Sequence, residues 1–131
     1  MKTTNRIDLK NRTKAFALRI IKMCGAMPRS IAADVLARQL MRSGTSVAAN
    51  YRAACRARSP REFVAKMGLI EEEADESALW LELITEAGVL PAPKTSALSE
   101  EANELTAIAV ASIRTARKRE KLRNPNSAIR D

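Results

Sequence analysis

Apolar residues recur at helical spacing along most of the chain, and this periodicity limits the fold to the all-α class. In the first such segment, the apolar positions i, i+4, i+7, i+8 and i+11 are Phe16, Ile20, Met23, Cys24 and Met27, which lie on one face of a helix. Only 3% of residues are aromatic, and no run alternates apolar with polar residues over the length of a strand. The 46% apolar content is enough for a packed core.

Capping and helix-breaking residues divide the chain into four predicted helices. Pro28 ends the first helix, and Ser30 is a good N-cap for the second. Ser59, Pro60 and Glu62 form a capping box with proline at the first helical position of the third. The predicted helices span about 7–27, 31–57, 60–87 and 99–121, followed by a frayed tail at 122–131. Two short connections and one moderate one predict an antiparallel up-down four-helix bundle, with residues 1–131 as a single domain.

Two positions leave the local structure open. Gly44 lies within the second helix, where glycine costs about 1 kcal/mol relative to alanine. Either the helix breaks there or a neighbouring backbone passes close, and the unbroken apolar phase from Leu40 to Val47 favours the second alternative. After a linker at 88–97, either Ser96 or Ser99 is expected to cap the fourth helix.

The chain contains no histidine, and this excludes several kinds of functional site. Ser-His-Asp and Cys-His catalysis, His-ligated zinc and carboxylate metal sites built on Glu-x-x-His all need that residue. The four glycines form no phosphate-binding loop, and the acidic run at 71–76 lies on one helix and not across a cleft. We therefore expect no catalytic residue, no metal and no cofactor.

Cysteine usage and hydropathy indicate the compartment. Cys24 and Cys55 form neither a CxxC motif nor a metal-ligand spacing, so we expect two small buried thiols in a reducing cytosol. No signal peptide is visible, and the apolar stretches fall short of the roughly 20 residues that a membrane span needs. We expect a cytoplasmic protein with no membrane partner.

Charge is distributed unevenly along the chain, which carries a net +8. Residues 1–58 have 13 basic and 2 acidic side chains, residues 59–93 have 2 and 8, and residues 94–131 have 8 and 5. This balance favours an anionic partner such as RNA or DNA, and it also allows the basic and acidic regions to attract each other within or between subunits.

A series of short motifs occupies the centre of the chain: RS at 42–43, VAANY at 47–51, RARS at 56–59, EF at 62–63, EADE at 73–76 and WL at 80–81. Their order and spacing resemble the bacterial four-helix-bundle family of 23S rRNA intervening-sequence proteins, related in fold to the accessory variability determinant of diversity-generating retroelements. The resemblance covers about 100 residues, from Phe16 to Lys118. It implies an up-down four-helix bundle, a ring-shaped homo-oligomer with five subunits, and an association with nucleic acid. Ala53 departs from the pattern, which usually has Glu, and this puts in doubt a polar cluster with the third helix.

Two groups of basic side chains are candidate phosphate contacts. The first lies on one broad face of the second helix, and the second lies in the basic run of the fourth: Arg38, Arg42, Arg52 and Arg56, then Arg117, Lys118 and Arg119. The alternatives are a solvated face, salt bridges to the acidic third helix, or a tail that complements the helix dipole. With few aromatics for stacking, we expect binding to backbone or duplex shape and no base-specific readout.

Polar and apolar features of the middle helices predict assembly. Asn50 lies beside the apolar stripe, where it needs a partner; we expect Glu73 or Glu76 across the helix interface, with a ligand contact as the alternative. The third helix is apolar around more than half its circumference, which exceeds the needs of one bundle and predicts a homo-oligomer. A protein–protein scaffold without a nucleic-acid role is the alternative function.

Overall fold

The computed structural model describes residues 8–126, which form four helices connected by short turns. They are α1 (Leu9–Gly25), α2 (Ile31–Cys55), α3 (Pro60–Glu86) and α4 (Ala92–Arg123). Consecutive helices pack against one another, α4 also meets α1, and no strand occurs within residues 8–126. The predicted all-α four-helix bundle is confirmed. The predicted end of the tail, residues 127–131, lies outside the described residues.

Side-chain caps begin the first three helices. Asp8 caps α1, and Ser30 and Ser59 each accept from the backbone N–H three residues later at 3.0 Å. Glu62 completes the start of α3 by accepting from the backbone N–H of Arg58 at 2.6 Å, one residue before the expected donor. These caps satisfy N–H groups that lack partners within the helices, which explains why the predicted starts of α2 and α3 were correct.

The predicted start of α4 was wrong. The helix begins at Ala92 and not at Ser96 or Ser99, and its N-cap, Pro91, makes no side-chain capping bond. Pro93 does not prevent the helix, because an N–H in the first turn has no intrahelical partner in any case and the proline ring already holds a helical φ. The residues expected to form a linker are therefore largely helix, and α4 also continues to residue 123.

Contacts with α3 explain the early start of α4. The hydroxyls of Thr85 and Thr95 are hydrogen-bonded at 2.7 Å, and Thr95 and Leu98 are buried. The chain reverses at Gly88, whose φ of 76° lies in the left-handed region that favours glycine. The first turns of α4 are thus held against the last turns of α3.

Close packing at Gly44 joins α2 to α1. Helix α2 is unbroken there, as expected, and Gly44 is buried. A Cβ at this position would overlap Ile20 Cδ1 and lie 3.4 Å from Ile20 Cγ1, so the close neighbour is a side chain and not the backbone we had expected. Glycine here allows α1 to approach α2 closely.

The core lies between the four helices, and a few polar side chains are buried with it. Its largest fully buried apolar side chains are Phe16, Ile20, Leu40, Met67, Leu81, Ile84 and Leu105. Ser43 and Ser77 are buried and share a hydrogen bond of 2.8 Å between α2 and α3. The thiol of Cys24, near the end of α1, donates to Ala37 O near the start of α2 at 3.7 Å. Cys55 is exposed, against our expectation.

Candidate nucleic-acid interface

Arg42, one of the predicted phosphate contacts, is engaged by two carboxylates of α3. Its Nη1 lies 3.2 Å from Glu73 Oε1, and its Nη2 pairs with Glu76 Oε2. Trp80 Nε1 also donates to Glu76 Oε2, at 3.0 Å. The hydrogen bond to Glu73, and to a smaller extent the one to Glu76, raises the pKa of Arg42 above its ordinary value. At this residue the structure has the salt bridge to the acidic helix that was the alternative to phosphate binding.

Asn50 has a partner within its own helix. Its Nδ2 donates to Ser46 O at 2.9 Å, and the residue is half-buried. The two carboxylates expected beside it, Glu73 and Glu76, accept from Arg42, two turns earlier on α2. The polar cluster between α2 and α3 therefore exists, but its cation is Arg42.

A second ion-pair cluster, which the sequence reasoning missed, joins α1 to α4. Arg12 donates from Nε to Glu101 Oε2 at 2.7 Å and from Nη2 to Glu104 Oε1 at 2.5 Å. These hydrogen bonds raise the pKa of Arg12 above its ordinary value. The only signal in the sequence is the i, i+3 spacing of the two glutamates, which indicates a shared face and does not identify the cation opposite.

Five of the seven predicted phosphate contacts come together at one end of the bundle. Arg52 and Arg56 lie at the end of α2, four residues before α3 begins. Residues 110–117 of α4 line a groove with residues 61–72 of α3, so the C-terminal half of α4 lies beside the start of α3. Arg117, Lys118 and Arg119 therefore share this end, which we call the basic end. Arg38 lies about 27 Å from Arg56 along α2, towards the other end.

The basic end has little internal neutralisation. Arg52, Arg56, Lys118 and Arg119 are exposed, and none forms a salt bridge with a residue in the range 8–126. Three carboxylates lie nearby and are fewer than the cations of this end: Glu62, which caps α3, and Glu71 and Glu72, which line the groove between α3 and α4. The positive potential of this end is therefore available to an anionic partner.

Three further arginines at the basic end were not among the predicted contacts: Arg58, Arg61 and Arg114. Arg61 and Arg114 line the α3–α4 groove, which has a volume of about 840 Å³ and an apolar floor that includes Val64 and Ile113. Arg114 could have been found from sequence, because it lies four residues before Lys118 and hence on the same face of α4.

Apolar side chains remain exposed on the outer faces of α3 and α1. On α3, Leu69, Leu79 and Leu83 are 40%, 45% and 38% exposed. On α1, Leu18 and Ile21 are 58% and 42% exposed. Glutamates flank the apolar residues of α3 and lysines flank those of α1, so the two faces are complementary in charge.

These features define an all-α bundle with one basic end. Within residues 8–126, no three cysteine or carboxylate side chains converge as a metal site would require, and no helix has the length and hydropathy to cross a bilayer. The sequence matches the family model of the 23S rRNA-intervening sequence proteins over residues 5–111, and the chain belongs to this family. The resemblance found in the sequence is thereby confirmed.

A solved structure supports the same assignment. The chain is similar to a protein of unknown function from the S23 ribosomal protein family of Bacteroides thetaiotaomicron, with 26% sequence identity and a TM-score of 0.72. The similarity covers 80% of this chain and 97% of that one. Among curated proteins, none matches the sequence.

Proposed function

We propose that this chain is a non-catalytic, homo-oligomeric helix bundle of the cytoplasm that binds RNA or DNA through its basic end, without strong sequence preference. The observation that carries the proposal is the convergence of two basic segments, one ending α2 and one ending α4, that are about 60 residues apart in the chain. Their exposed cations have no carboxylate partner among residues 8–126, so they are free to neutralise phosphates.

The chemistry of the basic end favours backbone contacts over base readout. Its side chains are lysines and arginines, which position a protein on phosphates but carry little sequence information. Of the four aromatic side chains that could stack on bases, Phe16 is fully buried, and Tyr51, Phe63 and Trp80 are half-buried and packed against the core. Four exposed cations of this end form no salt bridge with residues 8–126, namely Arg52, Arg56, Lys118 and Arg119. Four phosphate contacts predict a log–log dependence of affinity on salt with a slope of about −3.6 on duplex DNA.

The exposed apolar faces support self-association as part of this function. Leu18 and Ile21 of one subunit, flanked by lysines, are suited to pack on Leu79 and Leu83 of another, flanked by glutamates. Because the two faces differ, their contact is head-to-tail and can close into a ring. Five is the subunit number that the family resemblance implies, and a ring would repeat the basic end once per subunit.

Fluorescence anisotropy tests the binding, with labelled duplex DNA, structured RNA and a single strand at 50 and 200 mM salt. Light scattering on the same sample gives the mass, expected at about five times the 14.4 kDa of one chain. The variant Arg52→Ala/Arg56→Ala/Lys118→Ala should weaken binding and flatten the salt slope, while Lys94→Ala, at the other end of the bundle, should not. Absence of binding at 50 mM by the intact oligomer would rule out the proposal.

A scaffold role is the second candidate, and the Arg42 ion pairs are the observation that favours it. Through these pairs, one basic residue of α2 contributes to helix packing within one subunit. If the scaffold role is correct, Arg52→Ala/Arg56→Ala should alter the mass measured by light scattering and leave any nucleic-acid affinity unchanged.

A further inference from the structure

A separate pocket lies between the first turns of α1 and the last turns of α2. Its volume is about 370 Å³, which is enough for one nucleotide but small for a larger ligand. Lys10 and Lys14, one turn apart on α1, face Arg52 of α2 across it. The remaining lining residues are Asn11, Thr13, Ala48, Ala49 and Tyr51.

The pocket is cationic and contains no carboxylate among its lining residues. Lys10, Lys14 and Arg52 form no salt bridge with residues 8–126. The neighbouring Asp8 is occupied by capping: its Oδ1 accepts from Asn11 N at 3.1 Å and its Oδ2 from Asn11 Nδ2 at 2.7 Å. The Asp8 carboxylate keeps one negative charge near Tyr51, so the three cations around this small cavity exceed it by two, and such a site favours a compact dianion.

The remaining lining can accept an apolar or ring-shaped group. Ala48 and Ala49 carry no side chain beyond Cβ, so they leave space next to α2. Burial, followed by the neighbouring Cys55 and Asp8 side chains, raises the pKa of Tyr51 to about 12. Its phenol is thus neutral at physiological pH and does not oppose an anion. The Thr13 hydroxyl is already engaged with Leu9 O at 2.7 Å.

We propose that this pocket binds a terminal phosphate monoester of a nucleic-acid strand, with Lys10, Lys14 and Arg52 around the phosphate and the attached nucleoside over Ala48 and Ala49. A monoester carries about −1.5 to −2 charges at pH 7 and three acceptor oxygens, whereas an internal phosphodiester carries one charge. The inference rests on the proposed function, because Arg52 belongs to both the pocket and the basic end. A strand lying on the basic end would bring its terminus to this pocket.

The test compares single strands that differ only in their 5′ end. A 12-nucleotide RNA with a 5′-phosphate and the same RNA with a 5′-hydroxyl, both labelled at the 3′ end, are titrated by anisotropy at 50 mM salt. We expect the phosphorylated strand to bind at least tenfold more tightly. Lys14→Gln, which removes a cation, and Ala49→Leu, which fills the pocket from an exposed helix position, should both abolish the difference.

Matched variants control for charge and for side-chain size. Lys94→Gln removes an exposed lysine from α4, and Ala32→Leu enlarges an exposed alanine of α2, both outside the pocket. These two variants should keep the preference for the phosphorylated strand. Thermal unfolding of all four variants checks that each retains the fold.

The outcomes separate this inference from the proposed function. Equal, salt-sensitive binding of both strands would overturn the terminal-phosphate site and leave nucleic-acid binding intact. Calorimetry with a free mononucleotide distinguishes the two sources of a phosphate monoester. The protein could bind the mononucleotide, lose this binding in Ala49→Leu, and bind no strand. That result would overturn both the strand-end assignment and the proposed function.

Discussion

The middle and the end of α2 carry arginines on the same helical face but in different surroundings. In the middle, Arg42 bonds to Glu73 and Glu76 of α3. Three and four turns further on, Arg52 and Arg56 are exposed and form no salt bridge with residues 8–126. The acidic run of α3 lies opposite the middle of α2 and does not reach its end, and this register separates the two sets of arginines.

The same contrast applies to packing. Around Arg42, the Ser43–Ser77 hydrogen bond and the contact of Gly44 with Ile20 hold α2 against both of its neighbours. At the end of α2, Cys55 is exposed and a pocket separates the helix from α1. The comparison teaches that an amphipathic pattern indicates which side chains face outwards, whereas the facing helix determines which of them are available to a ligand.

The largest effect should come from filling the close contact in the middle of α2. Gly44→Leu places a side chain where even a Cβ would overlap the fully buried Ile20. Overpacking of this kind costs about 1–3 kcal/mol, and we expect a loss near 3 kcal/mol in the free energy of unfolding, measured by urea denaturation.

Gly68→Leu is the matched control, because Gly68 is also helical and no atom lies within 4 Å of its added Cβ. There the better helix propensity of leucine should raise the free energy of unfolding by about 0.5–1 kcal/mol. Equal effects of the two substitutions would mean that Gly44 does not control the approach of α1.

The two cysteines test the comparison by chemical reactivity. Burial raises the pKa of Cys24 to about 11 from an ordinary value near 9, whereas Cys55 is exposed. Thiolates react and thiols do not. A pKa near 11 leaves about a hundredfold less thiolate at pH 8 than the ordinary value does, so Cys24 should be alkylated correspondingly more slowly than an ordinary thiol. Mass spectrometry after iodoacetamide treatment should detect one fast and one slow site, and Cys55→Ser should remove the fast one.

The same raised pKa predicts a stability change at high pH. The folded state holds the Cys24 proton more tightly than the unfolded state, so its contribution is complete below pH 9 and is lost as pH rises towards 11. Cys24→Ala should therefore reduce the decline in stability between pH 9 and 11. A decline that is unchanged in Cys24→Ala would show that other groups cause it.

Much of the fold could be predicted from sequence, because local rules determine it. The starts of α2 and α3 follow from serine N-caps, and the continuity of α2 through Gly44 follows from an unbroken apolar phase. The start of α4 could not be predicted, because it depends on Thr95 meeting Thr85, a tertiary contact that overrides the prolines as linker signals.

The candidate site was only partly predictable, for a related reason. Helical spacing identifies Arg42 and Arg52 as members of one face, but the register of α3 against α2 places carboxylates beside the first alone. The pocket at Lys10 and Lys14 also depends on how α1 lies against α2. Spacing within one helix gives no information on how neighbouring helices align with each other. It does identify the basic run of α4, because that run lies within a single helix.

The end of α2 should affect binding without affecting stability. Arg52→Ala/Arg56→Ala removes two exposed cations, and we expect about a tenfold loss of nucleic-acid affinity at 50 mM salt. The log–log salt slope should become shallower by about 1.8, since each phosphate contact contributes about 0.9. If the double variant keeps both its nucleic-acid affinity and its urea midpoint of unfolding, the binding surface lies on another part of the protein.

Arg42→Ala should give the opposite pattern, with the smallest effect. The pair is partly exposed, so its loss should cost about 0.5–1 kcal/mol in the free energy of unfolding and leave nucleic-acid affinity unchanged. Glu76 bonds to both Arg42 and Trp80, so the emission of this single tryptophan should also shift. A double-mutant cycle with Glu73→Ala isolates the ion pair from lost packing of the arginine stem. Arg42→Ala could instead weaken binding as much as the double variant at the end of α2. In that case Arg42 contacts phosphate despite its carboxylate partners, and the whole face of α2 forms one binding surface.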